Sequence, residues 1–122
     1  MSAHRRIRLS AGSVSMLGEL NDTETANQIR QSLPIVGKAQ VWGDEIYLPI
    51  AVKLPEQDAQ REVPSGTLAY WPPGHSFCIF FGQRPYSAVN VIGRLLAEPH
   101  DWKQVGDGTE VRIEEASEDA KR

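Results

Sequence analysis

Apolar and polar residues alternate along much of this chain in the way that is typical of β-strands. Ile7 and Leu9 alternate with arginines, and alternation resumes from Val14 to Leu20 after a break at Ala11-Gly12. A period of two residues indicates a strand with one buried face. Residues 4–9 and 14–20 are therefore predicted to pair as a hairpin.

One segment has helical spacing instead. Ala26, Ile29 and Leu33 recur at intervals of three and four residues, and Pro34 ends the run. Asn21, followed three residues later by a glutamate, predicts the N-cap of this helix. This is the one principal helix that the sequence predicts.

Turn residues predict two more hairpins in the middle of the chain. Gly43-Asp44 separates the segment 38–42, the third strand by order, from a strand that begins at Glu45. Pro-Pro-Gly-His at 72–75 separates the strands 67–71 and 76–81, which hold all three phenylalanines of the chain. Glycine next to aspartate between two β-rich runs indicates a tight turn.

The last third of the chain adds two strands, 88–96 and 109–114, and one helical turn at 98–105 around Trp102. Strict alternation within 88–96 places Asn90, Ile92 and Arg94 on one mixed face.

About eight short strands with one helix predict a mainly β fold, a closed antiparallel barrel or sandwich. The chain of 122 residues is expected to form a single domain over 1–122, with 116–122 as a frayed tail.

Composition narrows the classes of partner. The net charge of −3 gives no electrostatic reason to expect nucleic acid or an anionic membrane surface. No apolar run is long enough to span a bilayer, and no apolar segment follows the basic N-terminus. A single cysteine excludes an internal disulfide framework, so a cytoplasmic location is expected. Three scattered histidines and that cysteine have no ligand spacing, so neither a metal nor another cofactor is predicted.

Three strings of this sequence resemble the small prokaryotic cyclophilin-like family, whose members fold as compact β-barrels related to cyclophilin. These strings are WGDEIYLPI at 42–50, GTLAYWPPGHSFCIFFG at 66–82 and AVNVIGRL at 88–95. The likeness extends over nearly the whole chain. It implies a cyclophilin-like closed antiparallel β-barrel of about eight strands with one principal helix.

The same resemblance does not imply prolyl isomerase activity. Cyclophilins use an arginine on the third strand, with phenylalanine, glutamine, tryptophan and histidine nearby, to act on the prolyl amide. The predicted third strand, 38–42, contains no arginine, and the string DEIYLPI at 44–50 contains neither glutamine nor phenylalanine. No catalytic residue of cyclophilin is therefore carried over to this chain.

Two polar residues are the weak catalytic candidates, Arg94 and His75. The planar guanidinium of Arg94, inside an apolar strand, is suited to hold a carboxylate or an amide oxygen. The alternative is that Arg94 faces solvent and pairs with a surface acid such as Glu110 or Glu114. His75, at an accessible turn, is suited to proton transfer with Asp44 or Glu45 orienting it, or is simply a surface residue.

Aromatic residues supply the candidate ligand site. If Tyr47, Trp71 and Phe80 open to one side together with Asn90 and Arg94, they form an apolar pocket with a few polar groups, which is the usual form of a ligand site. The alternative is that the aromatics only fill the core. Cys78, between Phe77 and Ile79, has the pattern of an inert buried thiol.

Three functions therefore stay open at this point. The favoured one is a barrel that binds a small apolar or peptide-like ligand. The second is an enzyme, either a weak peptidyl-prolyl isomerase or an isomerase or cyclase of small molecules. The third is a structural interaction module, with a homodimer formed through an exposed strand edge.

Overall fold

The computed structural model describes residues 5–82 and 88–116. Within them the chain forms nine strands, one α-helix and two 3-10 turns, Pro72–Gly74 and Pro99–Gln104. The strands and the helix, in chain order, are β1 Arg6–Ala11, β2 Val14–Leu20, α1 Glu24–Gln31, β3 Ile35–Lys38, β4 Gln40–Trp42, β5 Glu45–Pro49, β6 Thr67–Trp71, β7 Ser76–Phe80, β8 Asn90–Leu95 and β9 Glu110–Glu115.

All nine strands belong to one antiparallel sheet with the order β3-β9-β1-β2-β8-β6-β7-β5-β4. Only Ala39 separates β3 from β4, so the two ends of the sheet are adjacent and the sheet curls into a nearly closed barrel. Gly37 permits this closure, because a Cβ at that position would lie 2.8 Å from Leu48 Cδ1 on β5. The predicted mainly β barrel with one principal helix is confirmed.

The sequence prediction placed one strand wrongly. It described 38–42 as the third strand, whereas the third strand is Ile35–Lys38 and the fourth is Gln40–Trp42. The chain changes neighbours at Ala39, since β3 pairs with β9 and β4 pairs with β5. The third strand as observed also contains no arginine.

The hairpins that the turn residues predicted are all present. β1 pairs with β2, β4 with β5 across Gly43-Asp44, and β6 with β7 across the Pro72–Gly74 turn. Gly43 has φ +60°, a conformation that glycine adopts without steric cost. The predicted first strand began at His4, which lies outside the described residues, as does most of the predicted frayed tail, 117–122.

The helix is present, but Asn21 is not its N-cap. Thr23 caps α1, and its Oγ1 accepts a hydrogen bond from the Ala26 N–H at 3.2 Å. Asn21 lies two residues earlier and supports the cap, because its Oδ1 accepts hydrogen bonds from both the N–H and the hydroxyl of Thr23. Ala26 and Ile29 are fully buried, so α1 packs against the barrel through them.

The barrel interior is a continuous apolar core. Its largest fully buried side chains include Trp102, Tyr70 and Phe77. The Tyr70 hydroxyl donates to Val52 O at 2.7 Å and accepts from Leu54 N–H at 3.0 Å, which fixes the chain after β5 to the barrel.

Candidate functional site

The strands β5, β6 and β7 bury side chains on both of their faces. Their inward residues join the main core, and their outward residues contribute to a second, smaller apolar cluster. We call this the outer-face cluster. It consists of buried Ala69, Cys78, Phe80 and Val89, with Tyr47, Val63 and Trp71 packed against it.

Two half-buried aromatic rings lie at the surface of this cluster. Tyr47 and Trp71 meet edge to face, with ring centroids 6.1 Å apart and an interplanar angle of 75°. The Pro-Pro-Gly turn supports Trp71, because a Cβ on Gly74 would overlap the indole ring. The Trp71 ring therefore packs directly against the turn that follows β6.

Trp42 extends the aromatic surface toward the end of the β4–β5 hairpin. It lies directly opposite Glu45 in the strand pairing, so the two side chains share the outer face. The Trp42 side chain is 45% exposed, one of the few large apolar groups on the described surface.

Glu45 is a buried acidic residue on this face. It is only 8% exposed, and its Oε1 is buried without a hydrogen-bond partner among the described residues. Burial raises the pKa of the Glu45 carboxyl, and a hydrogen bond from Cys78 opposes part of that rise. A buried carboxylate oxygen without a donor is unusual, because its desolvation is not compensated.

The thiol of Cys78 is fully buried beside Glu45. Burial raises the pKa of this thiol well above its usual value, and the nearby Glu45 charge and the hydrogen bond to it raise it further. Since only the thiolate is strongly nucleophilic, the prediction of an inert thiol agrees with this environment.

The predicted ligand-site residues fall into two groups. Tyr47, Trp71 and Phe80 do come together on the outer face, with Phe80 fully buried beneath the surface. Asn90 and Arg94 do not join them.

The prediction that Asn90 and Arg94 share one face is wrong. Leu68 of β6 pairs with Gly93, but its neighbour Ala69 pairs with Val91, so Ile92 is an extra residue in β8. Such a bulge reverses the alternation on one side of it. Asn90 therefore points inward, whereas Arg94 points outward.

Asn90 is the centre of a buried polar network, and both ends of its side-chain amide are hydrogen-bonded within the chain. Its Nδ2 donates to Thr25 Oγ1 at 3.1 Å and to Pro55 O at 3.0 Å, and its Oδ1 accepts from Gln57 N–H at 2.9 Å. Gln57 Oε1 in turn accepts from the N–H and hydroxyl of Thr25. The network joins the segment after β5 to the helix and to β8.

Arg94 faces solvent and pairs with Glu19 of β2 at 3.3 Å, with 68% of its side chain exposed. Its strand partner is Thr67, four residues along β6 from Trp71, a separation of about 13 Å. This is the surface alternative that the sequence left open, with Glu19 as the acid in place of Glu110 or Glu114.

His75 is separated from the acids that were predicted to orient it. It follows the 3-10 turn with φ +48°, and its carbonyl accepts a hydrogen bond from Ile50 N–H beyond the end of β5. Asp44 and Glu45 lie at the other end of β5, at least four residues away or about 13 Å. The proposed pairing of His75 with either acid is wrong.

Sequence reasoning gave Glu45 only a secondary role and did not single out Trp42. The available signal was alternation, which places Glu45 and Tyr47 on one strand face directly after the Trp42-Gly43-Asp44 turn. The missing information was that a second apolar layer buries this face.

Neither a metal-binding group of side chains nor a membrane-spanning helix is found among the described residues. No group of three or more histidine, cysteine, aspartate or glutamate side chains in 5–82 and 88–116 is arranged to hold a metal ion. No helix in the same ranges has the length and apolar character required to cross a membrane.

Comparison with known proteins agrees with the architecture. The family model described as Cyclophilin-like matches residues 5–114. The solution structure of the hypothetical protein AF2241 from Archaeoglobus fulgidus is 36% identical, with a TM-score of 0.80 over 95% of this chain and 98% of that one.

A second solved structure shares the fold alone. McbB in complex with tryptophan is 14% identical, with a TM-score of 0.71 over 95% of this chain and 46% of the McbB chain. Comparison with curated proteins finds no match. From the extent of the family match and the likeness to AF2241, we conclude that this chain belongs to the cyclophilin-like family.

Proposed function

We propose that this protein binds a small apolar or peptide-like ligand on the outer face of β5, β6 and β7. The observation that carries the proposal is the position of Tyr47 and Trp71, two half-buried rings over a buried apolar layer with one carboxyl group at its end. Apolar walls with a small number of polar groups are typical of ligand sites.

The proposed ligand site contains fewer residues than the sequence predicted. Tyr47 and Trp71 supply the contact surface, and Phe80 and Cys78 supply the layer beneath it. Arg94 is left out because its ion pair with Glu19 lies about 13 Å from Trp71 along β6. The tryptophan in the McbB structure is a ligand of that protein, and it guides only the choice of an aromatic probe here.

Titration calorimetry with 2-phenylethanol and with N-acetylphenylalaninamide tests this proposal. We expect weak binding in the millimolar range to the wild type, and binding at least about fivefold weaker to Trp71→Leu, since an aromatic pair contributes about 0.5–1.5 kcal/mol beyond its buried area. The matched control is Val36→Ala on β3, where the side chain is 49% exposed and outside the cluster. If Trp71→Leu and the wild type bind these probes with equal affinity, the ligand site does not lie on this face.

The interaction-module alternative concerns the edge strand β4. Val41 and Trp42 are exposed there, which favours a partner surface. The Val41 N–H, however, already donates to Asp107 Oδ1 at 2.7 Å, so one edge group is occupied within the chain. A homodimer through this edge stays a prediction, and sedimentation of the wild type tests it.

A further inference from the structure

The buried carboxyl of Glu45 has more acceptor capacity than the chain uses. One ionised carboxylate has two oxygens with about four acceptor positions. Oε1 of this carboxyl is buried and has no donor among the described residues, and the nearby Cys78 Sγ lies within hydrogen-bonding distance of Ser76 O, at 3.8 Å. Nor does any described lysine, arginine or histidine lie within ion-pair distance of Glu45.

The surroundings of Glu45 favour a cationic partner. Trp42 lies directly across the strand pair, and Tyr47 is the next outward residue on β5. Aromatic faces attract organic cations, and the attraction is larger where water is excluded.

We propose that the ligand of this face carries a protonated amine next to its apolar body, and that Glu45 Oε1 accepts a hydrogen bond from that amine. This inference rests on the proposed function, and it narrows the ligand to small arylalkylamines and similar organic cations. A charge-assisted hydrogen bond of this kind is about twice as strong as a neutral one. The amine would therefore determine which apolar molecules the face selects.

Access to Oε1 requires a side-chain movement, because the atom is buried. Trp42, which lies directly across the strand pair and is 45% exposed on the short strand β4, is the neighbour that we expect to move. Rotation of this indole would open the end of the hairpin and leave the ring beside the bound cation.

Three ligands of matched shape test the inference by titration calorimetry at pH 7. They are 2-phenylethylamine, 2-phenylethanol and 3-phenylpropanoate, which differ only in the end group. We expect the wild type to bind the amine about tenfold tighter than the alcohol and to bind the carboxylate most weakly, because a hydrogen bond between ionised partners is stronger than a neutral one. Glu45→Gln should reduce the preference for the amine to within about twofold and retain affinity for the alcohol.

The control variant is Glu110→Gln, which removes the same charge from an exposed position on β9 and should keep the preference. If the wild type binds all three ligands equally, the inference is wrong and the proposed function stands. If it binds none of them, both fail. The wild-type ranking decides the matter even if Glu45→Gln does not fold.

Discussion

Glu45 is a buried acid on β5, so its protonation should affect the free energy of unfolding. Burial raises its pKa above the usual 4.5 in the folded protein. Well below pH 4.5 the carboxyl is neutral in both the folded and the unfolded states, so it does not make the free energy of unfolding depend on pH. As the pH rises from about 4.5 to the raised pKa, the unfolded chain loses this proton while the folded chain keeps it, so the free energy of unfolding falls.

Glu45→Gln isolates this effect, because an amide of similar volume does not titrate. We expect the wild type to lose stability relative to the variant as the pH rises above about 4.5 and then to level off past the raised pKa. Urea unfolding at a series of pH values measures the difference, and one unit of pKa shift corresponds to about 1.4 kcal/mol. If the difference in the free energy of unfolding between wild type and Glu45→Gln does not change with pH, the buried environment of Glu45 is contradicted. Glu110→Gln is the control for loss of charge alone.

At the level of elements, the segment between β5 and β6 is held by polar contacts and not by a regular strand. Asn90 joins β8 to Pro55, Gln57 and Thr25 through three hydrogen bonds. This connection fixes the longest described segment without regular secondary structure against the helix and the barrel. It also explains how an asparagine is accommodated with only 1% exposure.

Asn90→Ala should therefore be strongly destabilising. It leaves buried partner groups unsatisfied, each at about 1–3 kcal/mol, so we expect a loss of about 3 kcal/mol in the free energy of unfolding. Urea unfolding gives this value, with Gln31→Ala on the exposed side of α1 as a control expected within about 0.5 kcal/mol of wild type. A loss below about 1 kcal/mol for Asn90→Ala would mean that the network contributes little.

The elements themselves were largely predictable, because local signals determine them. Alternation and turn residues identified the hairpins, and the match at Thr67–Trp71 is complete. Two features were not predictable in this way. The β3–β4 division at Ala39 and the extra residue at Ile92 both depend on which strands lie alongside, and that is decided by residues far apart in the sequence.

The candidate site was predictable only in part for the same reason. The sequence left open whether Tyr47, Trp71 and Phe80 open to one side or fill the core, and the β5–β7–β6 pairing brings them together. The bulge moved Asn90 inward, and the length of β5 separated His75 from Glu45. No local pattern signals that a second apolar layer buries Glu45.

For the whole molecule, membership of the cyclophilin-like family does not imply prolyl isomerisation. The third strand Ile35–Lys38 has no arginine, and Arg94 is paired with Glu19 away from the aromatic face. We expect no acceleration of cis-trans exchange in a proline-containing model peptide, whose uncatalysed exchange takes tens to hundreds of seconds. A clear acceleration that Arg94→Ala abolishes would show an isomerase, and a cyclophilin serves as the positive control.

The three tryptophans of the chain offer a direct test of where a ligand binds. Trp42 and Trp71 belong to the outer face, whereas Trp102 is fully buried in the main core with its indole N–H directed to Met16 Sδ at 3.3 Å. In a two-dimensional nitrogen–proton NMR spectrum each indole N–H gives its own signal. Trp102 is therefore an internal control within the same molecule.

The decisive measurement is a titration of ¹⁵N-labelled protein with 2-phenylethylamine, followed through these indole signals. Binding at the outer face predicts saturable shifts of the Trp71 and Trp42 signals, with the Trp102 signal nearly unchanged. Shifts as large at Trp102 as at Trp71, or no saturable shift of either outer-face signal at millimolar ligand, would contradict a ligand site on this face.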